Sequence, residues 1–209
     1  LENVTLLDII KDIHGVDGIK RIRLSSLEPT LLTDDFISSI KQLPKVCRHF
    51  HISLQSGCDN TLKRMNRKYN THLYRRIVNN LRQAIPQVSI TTDVMVGFPG
   101  ETEQDFIDSY NFIREIGFSK LHVFKYSPRE GTPAAGFKDQ VSNAEKERRS
   151  LHLIKLGRLM ERNYIMGFLD QKAEVLFEQP VDTMPGYLEG YTDTYIKVVC
   201  NIGEEYIGQ

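Results

Sequence analysis

The 209 residues are 40% hydrophobic and 26% charged, and 27 basic side chains balance 27 acidic ones. This is the composition of a globular chain with room for one substantial domain and an appendage, and its neutrality gives nucleic-acid binding no support beyond a local patch. No apolar run has the length of a membrane span and no secretion signal opens the chain, so a cytoplasmic protein without membrane contact is expected; the start at Leu1 rather than Met fits a piece of a longer protein.

Thr5 is placed to cap a helix running through Ile13, and Ile19 to Ser25 alternates as a strand does. Thr33 caps a second helix carrying Phe36, Ile37, Ile40 and Leu43, and Phe50 to Leu54 forms the second strand. A short helix near Thr61 to Met65 precedes a longer one after Thr71, with Tyr74, Ile77, Val78, Leu81 and Ile85 on one face. Val88 to Val96 is the most apolar strand, as expected of a parallel strand buried on both faces. Thr102 caps the next helix, striped by Phe106, Ile107, Tyr110, Ile113 and Ile116, and Leu121 to Tyr126 is the fourth strand. Strands separated by one helix each imply right-handed parallel crossovers and an α/β fold. Four are too few to close an eight-stranded barrel, and the chain opens on a helix, so a partial barrel missing its first strands is expected.

After a loop from Ser127 to Phe137, Ser142 and Glu145 form a capping box at the head of a long charged helix ending near Gly167. The character then changes to short strands at Gln171 to Phe177, Tyr187 to Tyr191 and Tyr195 to Cys200. A boundary near Phe168 divides the chain into 1–168 and a β-rich 169–209, which at that size is incomplete or packs against the barrel.

The informative residues sit at the carboxyl ends of the strands, where loops and helix N-termini converge in parallel α/β folds. Ser25, Ser26 and Glu28 end the first strand, and Gln55 and Ser56 the second. Gly97 to Thr102 ends the third and Tyr126 to Arg129 the fourth. Each has an ordinary explanation as a turn residue or a solvated charge. Asp93 is harder to explain away, because a carboxylate inside an apolar strand costs several kcal/mol unless it is paired or hydrogen-bonded. Together the residues point to a polar ligand site. The basic run Lys63, Arg64, Arg67 and Lys68, with Arg75 and Arg76, is a solvated helix face or a contact for phosphates or a carboxylate. His49 and His51 alternate along a strand without metal-ligand spacing, and no P-loop or Ser–His–Asp arrangement is present. Cys47, Cys58 and Cys200 match no zinc or disulfide framework and read as reduced thiols, with Cys58 the most accessible.

The strings RIRLSSLEP from Arg21, HFHISLQSG from His49, LKRMNRKY from Leu62, TDVMVGFPGET from Thr92 and YSPREGTPA from Tyr126 resemble the radical S-adenosylmethionine (SAM) methylthiotransferases, in order, over residues 18 to 170. The His-Phe-His strand followed by Ser-Gly-Cys-Asp is most similar to the branch acting on threonylcarbamoyladenosine in tRNA; sister branches act on isopentenyladenosine or on a ribosomal-protein aspartate. The resemblance implies an open radical-SAM barrel and, after Leu169, the start of a TRAM-like RNA-binding domain. It implies 4Fe–4S clusters and SAM as cofactors, and tRNA, a reductant and a sulfur donor as partners. It places Glu28 and Gln55 at the SAM amino group or ribose, Arg67 at its carboxylate and Asp93 at the ribose hydroxyls, with Ser26 and Ser56 as neighbours and the Tyr126 to Arg129 backbone against the adenine. The family's C-x-x-x-C-x-x-C motif does not occur in these residues, so no cluster ligand is expected here and the chain alone is expected to be inactive. A different radical-SAM activity, a cluster-free RNA-binding module and a phosphate-binding barrel are the alternatives.

Overall fold

The computed structural model describes residues 4–208. Six helices, α1 (Leu6–Gly15), α2 (Asp34–Ile40), α3 (Asp59–Arg64), α4 (Thr71–Ala84), α5 (Glu103–Ile116) and α6 (Asn143–Met166), accompany seven strands. Strands β1 (Ile22–Leu27), β2 (Val46–Ile52), β3 (Ser89–Val96) and β4 (Lys120–Lys125) form one parallel sheet in the order β1-β2-β3-β4. Strands β5 (Val175–Pro180), β6 (Tyr187–Thr192) and β7 (Lys197–Asn201) form a separate antiparallel sheet. The parallel half is the expected α/β partial barrel.

Local chemistry sets the helix starts. Thr5 and Asp8 exchange side-chain-to-backbone bonds in a capping box, as do Thr102 and Asp105, and Thr33 caps Phe36 N–H. The cap of α4 is Asn70 rather than Thr71, its Oδ1 accepting from Leu73 N–H at 2.9 Å. At α6 half of the expected capping box forms. Ser142 Oγ accepts from Glu145 N–H at 3.2 Å, but the Glu145 carboxylate is drawn instead to Arg148 and Arg149.

Each parallel strand sends one row of side chains into the helices and the other to the opposite, inner face. Phe50, Ile52, Ile90, Val94 and Val96 join Tyr74, Val78, Leu81, Ile113 and Leu153 in a single core. The stripe on α5 is rotated from expectation: Ile107 is exposed and Phe112 is buried. β1 and β2 begin and end elsewhere than the sequence suggested. β1 begins three residues later than expected, and β2 runs from Val46 to Ile52 rather than from Phe50 to Leu54; Arg48 and His49 join it ahead of the expected start, and His49 and His51 face the inner cavity.

The antiparallel sheet docks at the amino-terminal ends of the parallel strands. Arg21 donates to Tyr191 O at 2.8 Å, and Arg48 Nε donates to Asp193 at 2.6 Å. The β6–β7 turn packs Tyr195 against His49, the rings tilted by 34° with centroids 4.9 Å apart. No described helix is long and apolar enough to cross a membrane.

Candidate active site

The second strand ends in a bulge that turns Gln55 onto the rim. β2 and β3 pair in register from His49↔Ser89 to His51↔Thr91 and then part. Thr92 fills the gap: its hydroxyl donates to Ile52 O at 2.6 Å and accepts from Leu54 N–H at 2.9 Å. From the helix side Tyr74 donates to Ile52 O, and Tyr69 donates to Ser53 O and Leu54 O, so the freed carbonyls stay bonded. The strands rejoin at Gln55, whose left-handed backbone (φ 63°) lets its N–H reach Asp93 O at 2.9 Å while its own carbonyl accepts from Met95 N–H at 2.8 Å. The Gln55 and Asp93 backbones are thus fixed as neighbours.

Glu28 and Arg67 meet at 3.1 Å across the same rim. Arg67 Nε is buried with no hydrogen-bond partner among the described residues, a spare donor beside the strand ends. Ser26 and Asp93 line one cavity of about 370 Å³ on the inner face. Ser56 is turned away from it. Its Oγ is buried and accepts from Cys58 N–H at 3.2 Å. Cys58, expected to be accessible, is buried too; its thiol donates to Asp105 at 3.2 Å, and burial pushes its pKa up. The exposed thiol is Cys200.

Gly57 holds this bend against α5. Its N–H donates to Ser109 Oγ at 2.8 Å, and a Cβ there would lie 2.7 Å from the Ser109 carbonyl oxygen. Gly57→Ala is expected to cost about 1–3 kcal/mol by overpacking, read from urea unfolding; an unchanged midpoint would mean that α5 yields without strain.

The third rim loop needs Gly97 and Gly100 in left-handed conformations, at φ 70° and 81°. It is pinned from beneath. Glu101 accepts from Gly97 N–H at 2.9 Å and pairs with Arg149 at 2.6 Å, the two side chains being 3% and 4% exposed. Phe98 packs edge-on against Tyr126, whose buried hydroxyl has no partner among the described residues.

The inner face carries a grouping that sequence reasoning missed, with His122 as its unforeseen member. Asp93 is opposite His122 in the β3–β4 register, with His122 Nδ1 3.2 Å from one carboxylate oxygen and His51 Nε2 3.4 Å from the other. His51 Nδ1 lies 3.0 Å from Thr91 Oγ1, which orients the ring. The ligand-type atoms of His51, Asp93 and His122 lie within 4.8 Å of one another, a donor set that could hold a divalent cation. They come from three strands, so no linear spacing reveals them. The available signal was the two-residue alternation of polar side chains in His49/His51, Thr91/Asp93 and Lys120/His122.

An iron–sulfur cluster needs thiolates converging on one point. Cys47 and Cys58 are buried at separate places and Cys200 is exposed on β7, and among the described residues no convergent ligand group contains a cysteine. The cysteines present do not fit a cluster. The rim does fit an amino-acid headgroup and a ribose, with Arg67 Nε as the spare donor and Glu28, Gln55 and Asp93 as acceptors.

The chain is 42% identical over 196 residues to the threonylcarbamoyladenosine tRNA methylthiotransferase of Bacillus subtilis, covering 93% of this chain and 44% of that protein. It is 38% identical over 208 residues to the tRNA-2-methylthio-N(6)-dimethylallyladenosine synthase of Endomicrobium trichonymphae, covering 100% and 49%. The chain therefore spans less than half the length of these curated relatives. Coproporphyrinogen III oxidase of Escherichia coli, a radical SAM enzyme, shares the fold with a TM-score of 0.57 at 17% identity, over 67% of this chain and 32% of its own. The family model described as the Radical SAM superfamily matches residues 2–113, more than half of the sequence, and with the partial barrel beneath it the chain belongs to the radical SAM superfamily.

Proposed function

We propose that this chain is the SAM-binding barrel portion of a tRNA methylthiotransferase that adds a methylthio group to C2 of N6-threonylcarbamoyladenosine next to the anticodon. What supports the reading is two pairs near the carboxyl ends of the parallel strands, Glu28 with Arg67 and the Gln55 backbone with that of Asp93, whose carboxylate lines the inner cavity with Ser26. Its relatives at 42% and 38% identity carry the two methylthiotransferase names. In this reading Arg67 receives the SAM carboxylate as a charge-assisted pair and Glu28 its amino group. Asp93 accepts from the ribose hydroxyls with Ser26 nearby, and Gln55 bonds the ribose or the amino group.

SAM on a reduced 4Fe–4S cluster supplies the one-electron chemistry that removes hydrogen from an unreactive C–H bond. The ligands of that cluster belong to a part of the longer protein outside this chain, so the chain by itself binds and orients but does not turn over. Residues 169–209 begin a TRAM-like module contributing to tRNA contact. A reductant and a sulfur donor complete the partners, and the compartment is the cytoplasm.

The test is to express the full-length parent anaerobically in a host lacking its own enzyme and analyse the tRNA nucleosides by mass spectrometry. The expected product is 2-methylthio-threonylcarbamoyladenosine, lost in Arg67→Ala and in Asp93→Ala while the clusters stay loaded. Appearance of the isopentenyl product would move the protein to the sister branch. No methylthio nucleoside from a cluster-loaded enzyme would overturn tRNA as the substrate and favour a protein substrate or a non-catalytic RNA-binding role.

A further inference from the structure

The inner cavity carries one cation that nothing nearby neutralises. Lys120 is paired with Glu161 at 3.5 Å, and Asp93 is held between His51 and His122. Arg23, from β1, makes no hydrogen bond or ion pair with any described residue. Its guanidinium instead lies 4.2 Å above the ring centroid of Tyr195.

Tyr195 is placed there at a cost. It adopts a left-handed backbone, φ 66°, which a bulky side chain rarely takes. It stacks on Tyr191 with centroids 4.5 Å apart and an interplanar angle of 13°. The β6–β7 turn thereby brings an aromatic floor from the second sheet into the first. A guanidinium held over an aromatic ring by its central carbon leaves its N–H donors available for a two-pronged acceptor. His122 has its Nδ1 on Asp93, while its Nε2 makes no hydrogen bond among the described residues. Its side chain is 43% exposed.

We infer that Arg23, supported by Tyr195 and flanked by His122, is a receptor for a carboxylate entering the inner cavity. Resting on the function proposed above, that carboxylate belongs to the N6 substituent of the substrate adenosine. The two kinds of relative are named for threonylcarbamoyl and dimethylallyl adenosines. A threonylcarbamoyl group ends in a carboxylate, and a dimethylallyl group is a hydrocarbon. Seating the hydrocarbon here would desolvate Arg23 without offering it a partner, and a site built for hydrogen bonding rejects an analogue that lacks the bonding group. The cavity thus selects the charged substituent, and the second sheet takes part in the choice through Tyr195.

Two measurements separate this inference from the reading beneath it. In the first, the isolated chain is titrated with threonylcarbamoyladenosine, its methyl ester and dimethylallyladenosine, following the Arg23 Nε–H and His122 ring resonances by NMR. The free acid is expected to shift both, and the ester and the hydrocarbon neither. An equal response to acid and ester, including no response to either, overturns the receptor. In the second, Arg23→Met in the full-length parent is expected to lower kcat/KM on threonylcarbamoyl tRNA by about tenfold to a hundredfold, the worth of a charged hydrogen bond, with SAM cleavage retained. A parent that methylthiolates this tRNA equally well with Arg23→Met defeats the receptor and leaves the function standing. A parent that modifies no tRNA, beside a chain that still distinguishes acid from ester, defeats the function and leaves the receptor standing.

Discussion

Arg149→Ala is expected to destabilise the protein by about 3–5 kcal/mol, the cost of leaving a buried charge without its partner. Arg149 pairs with Glu101 at 2.6 Å, the two side chains being 4% and 3% exposed, and it also donates to the Glu101 backbone carbonyl at 3.1 Å. Burial pushes the Glu101 carboxyl above its ordinary value, outweighing the opposing pull of Gly97 N–H and Arg149. The pair is thus a costly arrangement that holds the rim loop rather than a net source of stability. Replacing both partners, Glu101→Gln with Arg149→Met, is therefore expected to recover most of the loss, since the amide oxygen can still accept from Gly97 N–H. Urea midpoints of the wild type and the two variants decide it. A single Arg149→Ala costing less than about 1 kcal/mol, the range of an exposed pair, would show that the pair is solvated.

Acidification is expected to weaken the protein through His49. Burial is the chief force lowering its pKa, with the charges of Arg23, His51 and His122 adding to it, so that it falls from 6.5 to about 4. Its ring packs against Tyr195, and Nε2 lies 3.2 Å from Thr91 Oγ1. Because the folded pKa lies below the unfolded one, the unfolded chain binds more protons between those values. Stability contributed by the neutral ring is therefore present above about pH 6.5 and lost as the pH falls towards about 4. At about 1.4 kcal/mol for each tenfold change in proton affinity, the whole loss is on the order of 3 kcal/mol. Comparing urea midpoints of the wild type and His49→Gln at pH 7 and pH 4.5 isolates this residue from the carboxylates that titrate alongside it. Parallel pH profiles would mean that His49 is charged in the folded state or hydrated.

The helix starts were written locally, which is why Thr5, Thr33 and Thr102 cap where their sequences say. A cap needs a side chain and an N–H two or three residues on, and both lie within the same short string. The edges of β1 and β2 were less legible, because Arg48 and His49 read as polar residues ahead of the apolar run at Phe50 until the strand's inner face is known to be polar. Glu28 and Gln55 were legible as strand-end residues, since parallel strands deliver their carboxyl ends to one side, whereas the Asp93 carboxylate turns into the inner cavity between His51 and His122.

The sequence by itself determined the α/β rhythm and the four-stranded partial barrel, because periodicity and turn chemistry act over a few neighbouring residues. Tertiary structure alone decided that Thr92 bridges the parted strands, that Ser56 and Cys58 face inward to the protein, and that His51, Asp93 and His122 meet. It also decided that Tyr195 closes on Arg23 from 172 residues further along the chain. Such contacts depend on strand register and on the docking of one sheet against another, and no local pattern encodes either.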